Sequence, residues 1–207
     1  MIQGSEEWLQ ARCGIITASR IADIIAKTKT GESTSRANYR AQLVAERMTG
    51  KVQESFCNTA MQWGNEQEPY ARIAYEIDKG VMVDEVGLVM HPRIERAGAS
   101  PDGFSGKFGL VEIKCPNTAT HIGYLLDGKP PARYVPQMAW QIICTGRSWC
   151  DFVSYDPRMP EPEQYFCVRY IPDDKYLAML ETEVKKFDAE VEAVINQLME
   201  RRNGIGK

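Results

Sequence analysis

The chain has 207 residues, 43% hydrophobic and 26% charged, with a formal net charge of -3. That length buries a full core without disulfide staples, and the composition excludes the disordered, low-complexity and collagen-like classes. No run approaches the roughly 18 apolar residues of a membrane span, and the start Met-Ile-Gln-Gly-Ser-Glu-Glu-Trp lacks the basic and apolar regions of a signal peptide. The expectation is a cytoplasmic protein with no membrane contact, folded as one domain over residues 1–207.

The first 80 residues or so read as helical. A short turn surrounds Trp8 and Leu9, Thr17 opens a helix as its N-cap, and a further helix runs across Tyr39 to Met48 to end at Gly50. Gly31 to Ser35 is the loop between them, and a longer helix covers Thr59 to Tyr75, with Gly80 beyond its end. The sheet-bearing part, about 81–171, opens on the valine-rich stretch Val81 to Met90, followed by strands at Ala97 to Ala99 and Leu110 to Cys115. A helix over Val135 to Cys144 precedes strands at Trp149 to Tyr155 and Gln164 to Tyr170, the last two separated by the turn Pro157 to Pro162. A final helix, about 173–201, carries Leu177, Leu180, Val184, Phe187, Val191, Val194 and Leu198 on one face. That stripe fits docking on its own domain, and also a coiled coil between subunits. Helices before, between and after strands imply a mixed sheet flanked by helices.

Charge and cysteine usage narrow the chemistry. Residues 1–52 carry eight Lys or Arg (Arg12, Arg20, Lys27, Lys29, Arg36, Arg40, Arg47, Lys51) against five acids (Glu6, Glu7, Asp23, Glu32, Glu46), while the rest of the chain is acidic. A polyanion is expected at the amino-terminal part, against the alternative of solvated helix faces. The six cysteines (Cys13, Cys57, Cys115, Cys144, Cys150, Cys167) form no C-x-x-C pair, and only His91 and His121 could join them, so reduced, mostly buried thiols are expected instead of a zinc site.

The densest chemistry lies in Ser100-Pro101-Asp102-Gly103 followed by Glu112-Ile113-Lys114. A strand alternates its side chains, which puts Glu112 and Lys114 on one face and Ile113 on the other. A hard divalent cation takes carboxylate and carbonyl oxygens, so Asp102 from a turn, Glu112 from the strand and the Ile113 carbonyl make a ligand set for Mg2+ or Mn2+. Phosphodiester hydrolysis needs this grouping. A metal lowers the pKa of the attacking water and offsets charge on the phosphate, a second ion serves the leaving 3'-oxygen, and the Lys114 ammonium orients or stabilises. A bare E-x-K is usually an exposed or cross-strand pair, but apolar Leu110, Val111, Ile113 and Cys115 mark a buried strand in which a Glu and a Lys need a reason to be.

Five segments extend the pattern: Trp8-Leu-Gln-Ala-Arg12-Cys-Gly14-Ile-Ile-Thr17-Ala18-Ser19, Trp63-Gly64-x3-Glu68, Ser100-Pro101-Asp102-Gly103, Glu112-Ile113-Lys114-Cys115-Pro116 and Tyr155-Asp156-Pro157-Arg158-Met159. Together they resemble the phage lambda exonuclease and YqaJ-type viral recombinase family, a branch of the PD-(D/E)xK nucleases, in order over nearly the whole chain. The resemblance implies an α/β (α+β) fold with a restriction-endonuclease-like core and a central mixed sheet flanked by helices. It implies Asp102 and Glu112 as metal carboxylates, the Ile113 carbonyl as a further ligand, Lys114 as the catalytic lysine and Glu68 as a helix glutamate reaching the metals; otherwise Glu68 reads as a surface acid beside Glu66. It also implies a 5'-phosphate pocket of Arg12, Ser19 and Ser100; the bland readings are that Arg12 is a solvated face residue and that Thr17 or Ser19 merely caps a helix. Trp8 reads as packing. Relatives place glutamines on the helix after Tyr134: Gln137 aligns, Ala139 stands where a second is found, and Gln141, one turn from Gln137, is the substitute.

The activity implied is Mg2+-dependent digestion of one strand of linear double-stranded DNA, 5' to 3', from 5'-phosphorylated ends, with two ions per site. Phage or prophage origin, a homotrimeric ring around DNA and a single-strand annealing partner follow from the same resemblance. The competing readings are an endonuclease of the same superfamily and a catalytically weak DNA-binding recombination module.

Overall fold

The computed structural model describes residues 1–29, 31–53 and 59–205; Cys57 lies outside them. The main sheet has five strands in the order β10-β9-β8-β7-β4, with β4 Val83–Asp84, β7 Gly103–Ser105, β8 Gly109–Lys114, β9 Trp149–Tyr155 and β10 Tyr165–Tyr170. β8 and β9 pair in parallel and the other neighbours antiparallel, so the sheet is mixed, as expected. A parallel pair needs a crossover, and here α5 Thr118–Asp127 and α6 Val135–Thr145 supply it. The sequence reading placed no element at α5, although Asn117 caps it through its side chain and left-handed Gly128 ends it.

The strand alternation of β8 divides the core. Val111, Ile113 and Cys115 pack with Ala71 and Tyr75 of α4 Thr59–Lys79. Leu110 packs the other way, with Tyr124 of α5, Met138 and Ile142 of α6, and Phe152. Beyond α6 lies a third cluster, built on a small sheet of β1 Ile16–Thr17, β6 Ala97–Ala99 and β5 Val89–Met90, with α2 Ile21–Ile25, α3 Thr34–Thr49 and α7 Asp174–Ile205. α7 docks on its own chain: Leu180, Val184, Phe187, Val191 and Ile195 are buried, Phe187 stacks on Tyr39 of α3, and Leu198 stays exposed.

Several expected elements differ. Val81 to Met90 is two short strands in two sheets, because residues 85–88 carry the chain from one sheet to the other. The 1–80 region is not wholly helical, since it contributes β1 and the hairpin β2 Lys27–Thr28 with β3 Gly31–Glu32. The helix expected from Tyr39 starts at Thr34, with the Ser33 hydroxyl accepting from Arg36 N–H. Thr17 precedes a 3-10 turn, Ala18–Arg20, without a side-chain cap; its own N–H donates to the Tyr39 hydroxyl at 3.0 Å, because β1 is drawn into the small sheet. The amino-terminal basic excess is largely internal: Arg36, Arg40 and Arg47 pair with Glu190, Asp188 or Glu192 of α7, and Arg20 with Asp23. No helix of the described residues is long and apolar enough to cross a membrane.

Candidate active site

Two strand pairings assemble the site. β1 runs parallel to β6 in the register Ile16↔Ala97 and Thr17↔Gly98, which carries both chains forward together to Ser19 and Ser100. Two residues later the chain reaches Asp102, and β7 then pairs with β8 in the register Gly103↔Val111. That antiparallel ladder stops there. The next outward N–H of β8, that of Ile113, is taken by Asp102 Oδ2 at 2.6 Å. Gly103 is required at this corner, since a Cβ there would lie 2.1 Å from Val83 Cγ1 and 3.3 Å from the Asp84 carbonyl.

Glu112 and Lys114 do share a face and form an ion pair. Glu112 is fully buried, and its two oxygens accept from α6: Oε1 from Gln137 Nε2 at 2.5 Å and Oε2 from Gln141 Nε2 at 2.6 Å. Gln141 thus meets the same carboxylate as Gln137, one helical turn away, while Ala139 is buried in the third cluster. Burial pulls the Lys114 pKa down, but the Glu112 and Asp102 carboxylates outweigh it and hold the ammonium protonated. Asp102 is pushed the other way: burial, then the charge of Glu112, raise its pKa well above the usual carboxylate range.

A cleft of about 480 Å³ opens over this end of the sheet, lined by Ile113 and Lys114, by Asn65 and Glu68 of α4, and by Arg133 and Tyr134. Glu68 therefore faces the site; Glu66, two residues earlier, does not line the cleft. Pro69 has no N–H to give the Asn65 carbonyl, which loosens α4 just where it meets the cleft. Glu68 also lines the recess that holds Asp102, and Arg72 Nη2 donates to it at 3.1 Å.

A second cavity, of about 420 Å³, holds Arg12 and Ser19 with Trp8, Thr17 and Glu46, and it adjoins the first at Met61, which lines both. Arg12 stacks on Trp8, its guanidinium 3.9 Å from the ring centroid, and Trp8 Nε1 donates to Ser100 Oγ at 3.0 Å. Trp8 so joins Ser100 to Arg12, a link the packing reading of Trp8 missed; the i, i+4 spacing of Trp8 and Arg12 was its only trace. Glu46, the carboxylate of this cavity, is occupied by Gly14 N–H and Gln42 Nε2, both at 2.8 Å. Among the described residues Arg12 has no ion-pair partner, and burial lowers its pKa. Arg158 was quoted only as part of a motif; it braces the strand end by donating to the Pro116 carbonyl at 3.0 Å while stacking on Trp63.

The donor set suits a hard divalent cation. Asp102 and Glu112 bring two carboxylates close enough for the charge of Glu112 to raise the cost of charging Asp102, and carboxylate and carbonyl oxygens are what such a cation takes. The thiols stand apart from this chemistry: burial lifts Cys115 to about 12 and raises Cys144 and Cys150 as well. His121 is engaged by Ser154 Oγ and the Glu163 carbonyl, and His91 by the Arg93 and Ile94 N–H groups.

Residues 7–148 match the model of the YqaJ-like viral recombinase domain. The chain belongs to the YqaJ-like viral recombinase family. Membership of this family implies a nuclease. The YqaJ-like chain is similar to an alkaline exonuclease (LHK-Exo) from Laribacter hongkongensis, at 51% identity over 97% of this chain and 100% of the other, with a TM-score of 0.91. LHK-Exo in complex with dAMP gives the same identity and coverage with a TM-score of 0.92. A phage-related exonuclease from Haemophilus somnus 129PT, 14% identical over 91% of this chain and 96% of the other, shares the fold with a TM-score of 0.66. No curated protein matches the YqaJ-like chain significantly.

Proposed function

We propose that this protein is a Mg2+-dependent exodeoxyribonuclease that digests one strand of linear double-stranded DNA from 5'-phosphorylated ends, 5' to 3', releasing 5'-mononucleotides and leaving 3' overhangs for recombination. The observation that carries this reading is the junction at Met61. There the cleft over Glu68 and Lys114 adjoins the cavity in which Arg12, among the described residues, has no ion-pair partner. The dAMP bound by the 51%-identical LHK-Exo is a deoxynucleoside monophosphate, as such a reaction would release.

Asp102, Glu112 and the Ile113 carbonyl would hold the cation, with Glu68 reaching in from α4. When bound, Mg2+ or Mn2+, two ions per site, lowers the pKa of a water and offsets charge on the phosphate. Lys114, on the same strand face as Glu112, would orient the water and stabilise phosphate charge. Gln137 and Gln141 fix the rotation of the Glu112 carboxylate. Arg12 forks onto the terminal 5'-phosphate. Ser100, whose oxygen already accepts from Trp8, keeps its hydroxyl hydrogen for the phosphate, and Ser19 adds a second hydroxyl. The family resemblance adds a homotrimeric ring threaded by the duplex and a single-strand annealing protein that receives the overhang.

End-labelled linear duplex tests the polarity. Mononucleotide should be released from the 5' label first, EDTA should stop it, and covalently closed circles should survive. Release from the 3' label first, or circles cut at a comparable rate, would sink the exonuclease reading in favour of an endonuclease. Gln141→Leu, which sets an apolar group against a buried carboxylate, should weaken the apparent Mg2+ affinity in this assay about tenfold. A Mg2+ titration with an unchanged midpoint would remove Gln141 from the site.

A further inference from the structure

We propose that Arg133 binds the phosphate backbone of the digested strand on the 3' side of the scissile bond, held ready by Tyr134 and Tyr124. The placement on the 3' side rests on the exonuclease reading above; the binding itself does not.

Arg133 lies in the turn before α6, on the wall of the cleft that has Lys114 at its base. Its Nη2 donates to the Tyr124 and Tyr134 hydroxyls, both at 2.6 Å, and its guanidinium carbon stands 4.5 Å from the Tyr134 ring centroid. Tyr134 is itself stacked on the core residue Phe152, with ring centroids 5.5 Å apart. The arginine is therefore anchored from the core outward, although it is exposed. One face and one nitrogen are engaged, and the remaining N–H groups are left for a planar, bidentate acceptor.

No ion pair reaches Arg133 among the described residues, whereas most arginines elsewhere are engaged by carboxylates, such as Arg36 by Glu190 and Arg169 by Asp151. The two cavities that meet at Met61 thus each hold an arginine stacked on an aromatic ring and, among the described residues, in no ion pair: Arg12 on Trp8, Arg133 on Tyr134. Among the described residues the cleft's lining adds one carboxylate, Glu68; Lys114 is already paired with the buried Glu112, and the rest of the polar wall is neutral, including Asn65, Asn117 and Thr120. With Lys114 taken by Glu112, Arg133 is the cation of this cleft that no acid holds among the described residues, and a phosphate is the ligand its unused N–H groups fit. A strand whose 5' end occupies the Arg12 cavity and whose first phosphodiester lies at Lys114 continues into the space where Arg133 stands.

The test uses the full chain and short 5'-phosphorylated oligonucleotides, single-stranded and duplex, with binding measured by fluorescence anisotropy in EDTA across a NaCl series. Arg133→Gln should weaken binding to both about tenfold and flatten the salt dependence by about 0.7 on single strands and 0.9 on duplex, the loss of one phosphate contact. Arg133→Lys, which keeps a point charge, should retain the wild-type slope, a result that general misfolding would not give. The preference for 5'-phosphate over 5'-hydroxyl ends should be unchanged in both variants. An unaltered slope in Arg133→Gln overturns the proposal, as does a defect confined to duplex, which would assign Arg133 to the complementary strand. Because no cleavage is involved, this outcome is independent of the polarity assay.

Discussion

Lys114→Ala is expected to slow Mg2+-dependent hydrolysis of linear duplex about 10²–10³-fold while leaving duplex affinity nearly unchanged. The size follows from what is removed. Lys114 is the ammonium at the base of the cleft, ion-paired with Glu112 and kept protonated by Glu112 and Asp102 together. Its loss takes a fixed positive charge from the place where phosphate charge develops, but no contact from the rest of the DNA-binding surface. The fold should survive, because Glu112 keeps its two amide donors from Gln137 and Gln141. Thermal stability without metal should fall, by roughly 1–3 kcal/mol for a buried carboxylate deprived of one partner, and Mg2+ should recover part of it by binding only the folded site. Single-turnover rates on end-labelled duplex, anisotropy in EDTA and a melt with and without Mg2+ measure the three quantities. A variant that still cleaves at the parental rate, or that loses binding as fully as cleavage, would end the assignment of Lys114 as the catalytic ammonium.

The sequence displayed this part of the site because its geometry is local. Alternation along one strand puts Glu112 beside Lys114, and a nine-residue return after a Pro-Asp-Gly corner is short enough to bring Asp102 back to Ile113. The glutamines on α6 came from the family resemblance; only the choice of Gln141 as the stand-in for Ala139 was local, since one helical turn separates it from Gln137, and the two now meet Glu112 together. Glu68 was different. Nothing in Glu66-Gln-Glu68-Pro69 says which acid turns inward, because that depends on how α4 lies across β8, and only the family resemblance singled it out.

What the sequence hid was tertiary. Thr17 has the residue type and position of an N-cap, yet its backbone is claimed by β6 and its N–H by Tyr39, so the local rule was overridden by pairing with a strand 80 residues away. The valine-rich run 81–90 has strand character throughout, but residue pattern does not say that its two ends join different sheets. The basic excess of residues 1–52 looked like a surface for DNA. Most of its arginines are instead neutralised by acids of α7, more than 140 residues later, as the Arg47–Glu192 pair shows. Charge counting along a chain cannot separate cations that bind a ligand from cations that bind the fold. The structure can, and among the described residues it leaves Arg12 without an ion pair.

That distinction sets the second large effect. Arg12→Ala is expected to slow digestion of 5'-phosphorylated ends about 10²-fold, the cost of truncating one side of a buried charge-assisted pair, and to change 5'-hydroxyl ends little. Arg12 stands partly buried on Trp8, with Glu46 hydrogen-bonded to Gly14 and Gln42 instead, so among the described residues no ion pair offsets its desolvation, which outweighs the more distant charge of Glu46. Burying a guanidinium this way is unfavourable unless a ligand completes it, and a terminal phosphate dianion does so with two oxygens. The selectivity between the two kinds of end is the decisive quantity, because a variant that merely misfolds slows both alike. Competition between 5'-phosphoryl and 5'-hydroxyl duplexes in one reaction measures the ratio directly. If Arg12→Ala slows both ends equally, Arg12 does not read the phosphate, and the cavity beside Met61 has some other occupant. If Trp8→Phe, which deletes the indole donor to Ser100 while keeping a ring under Arg12, lowers the same ratio by a smaller factor, the Trp8 bridge holds the hydroxyl of Ser100 toward that phosphate.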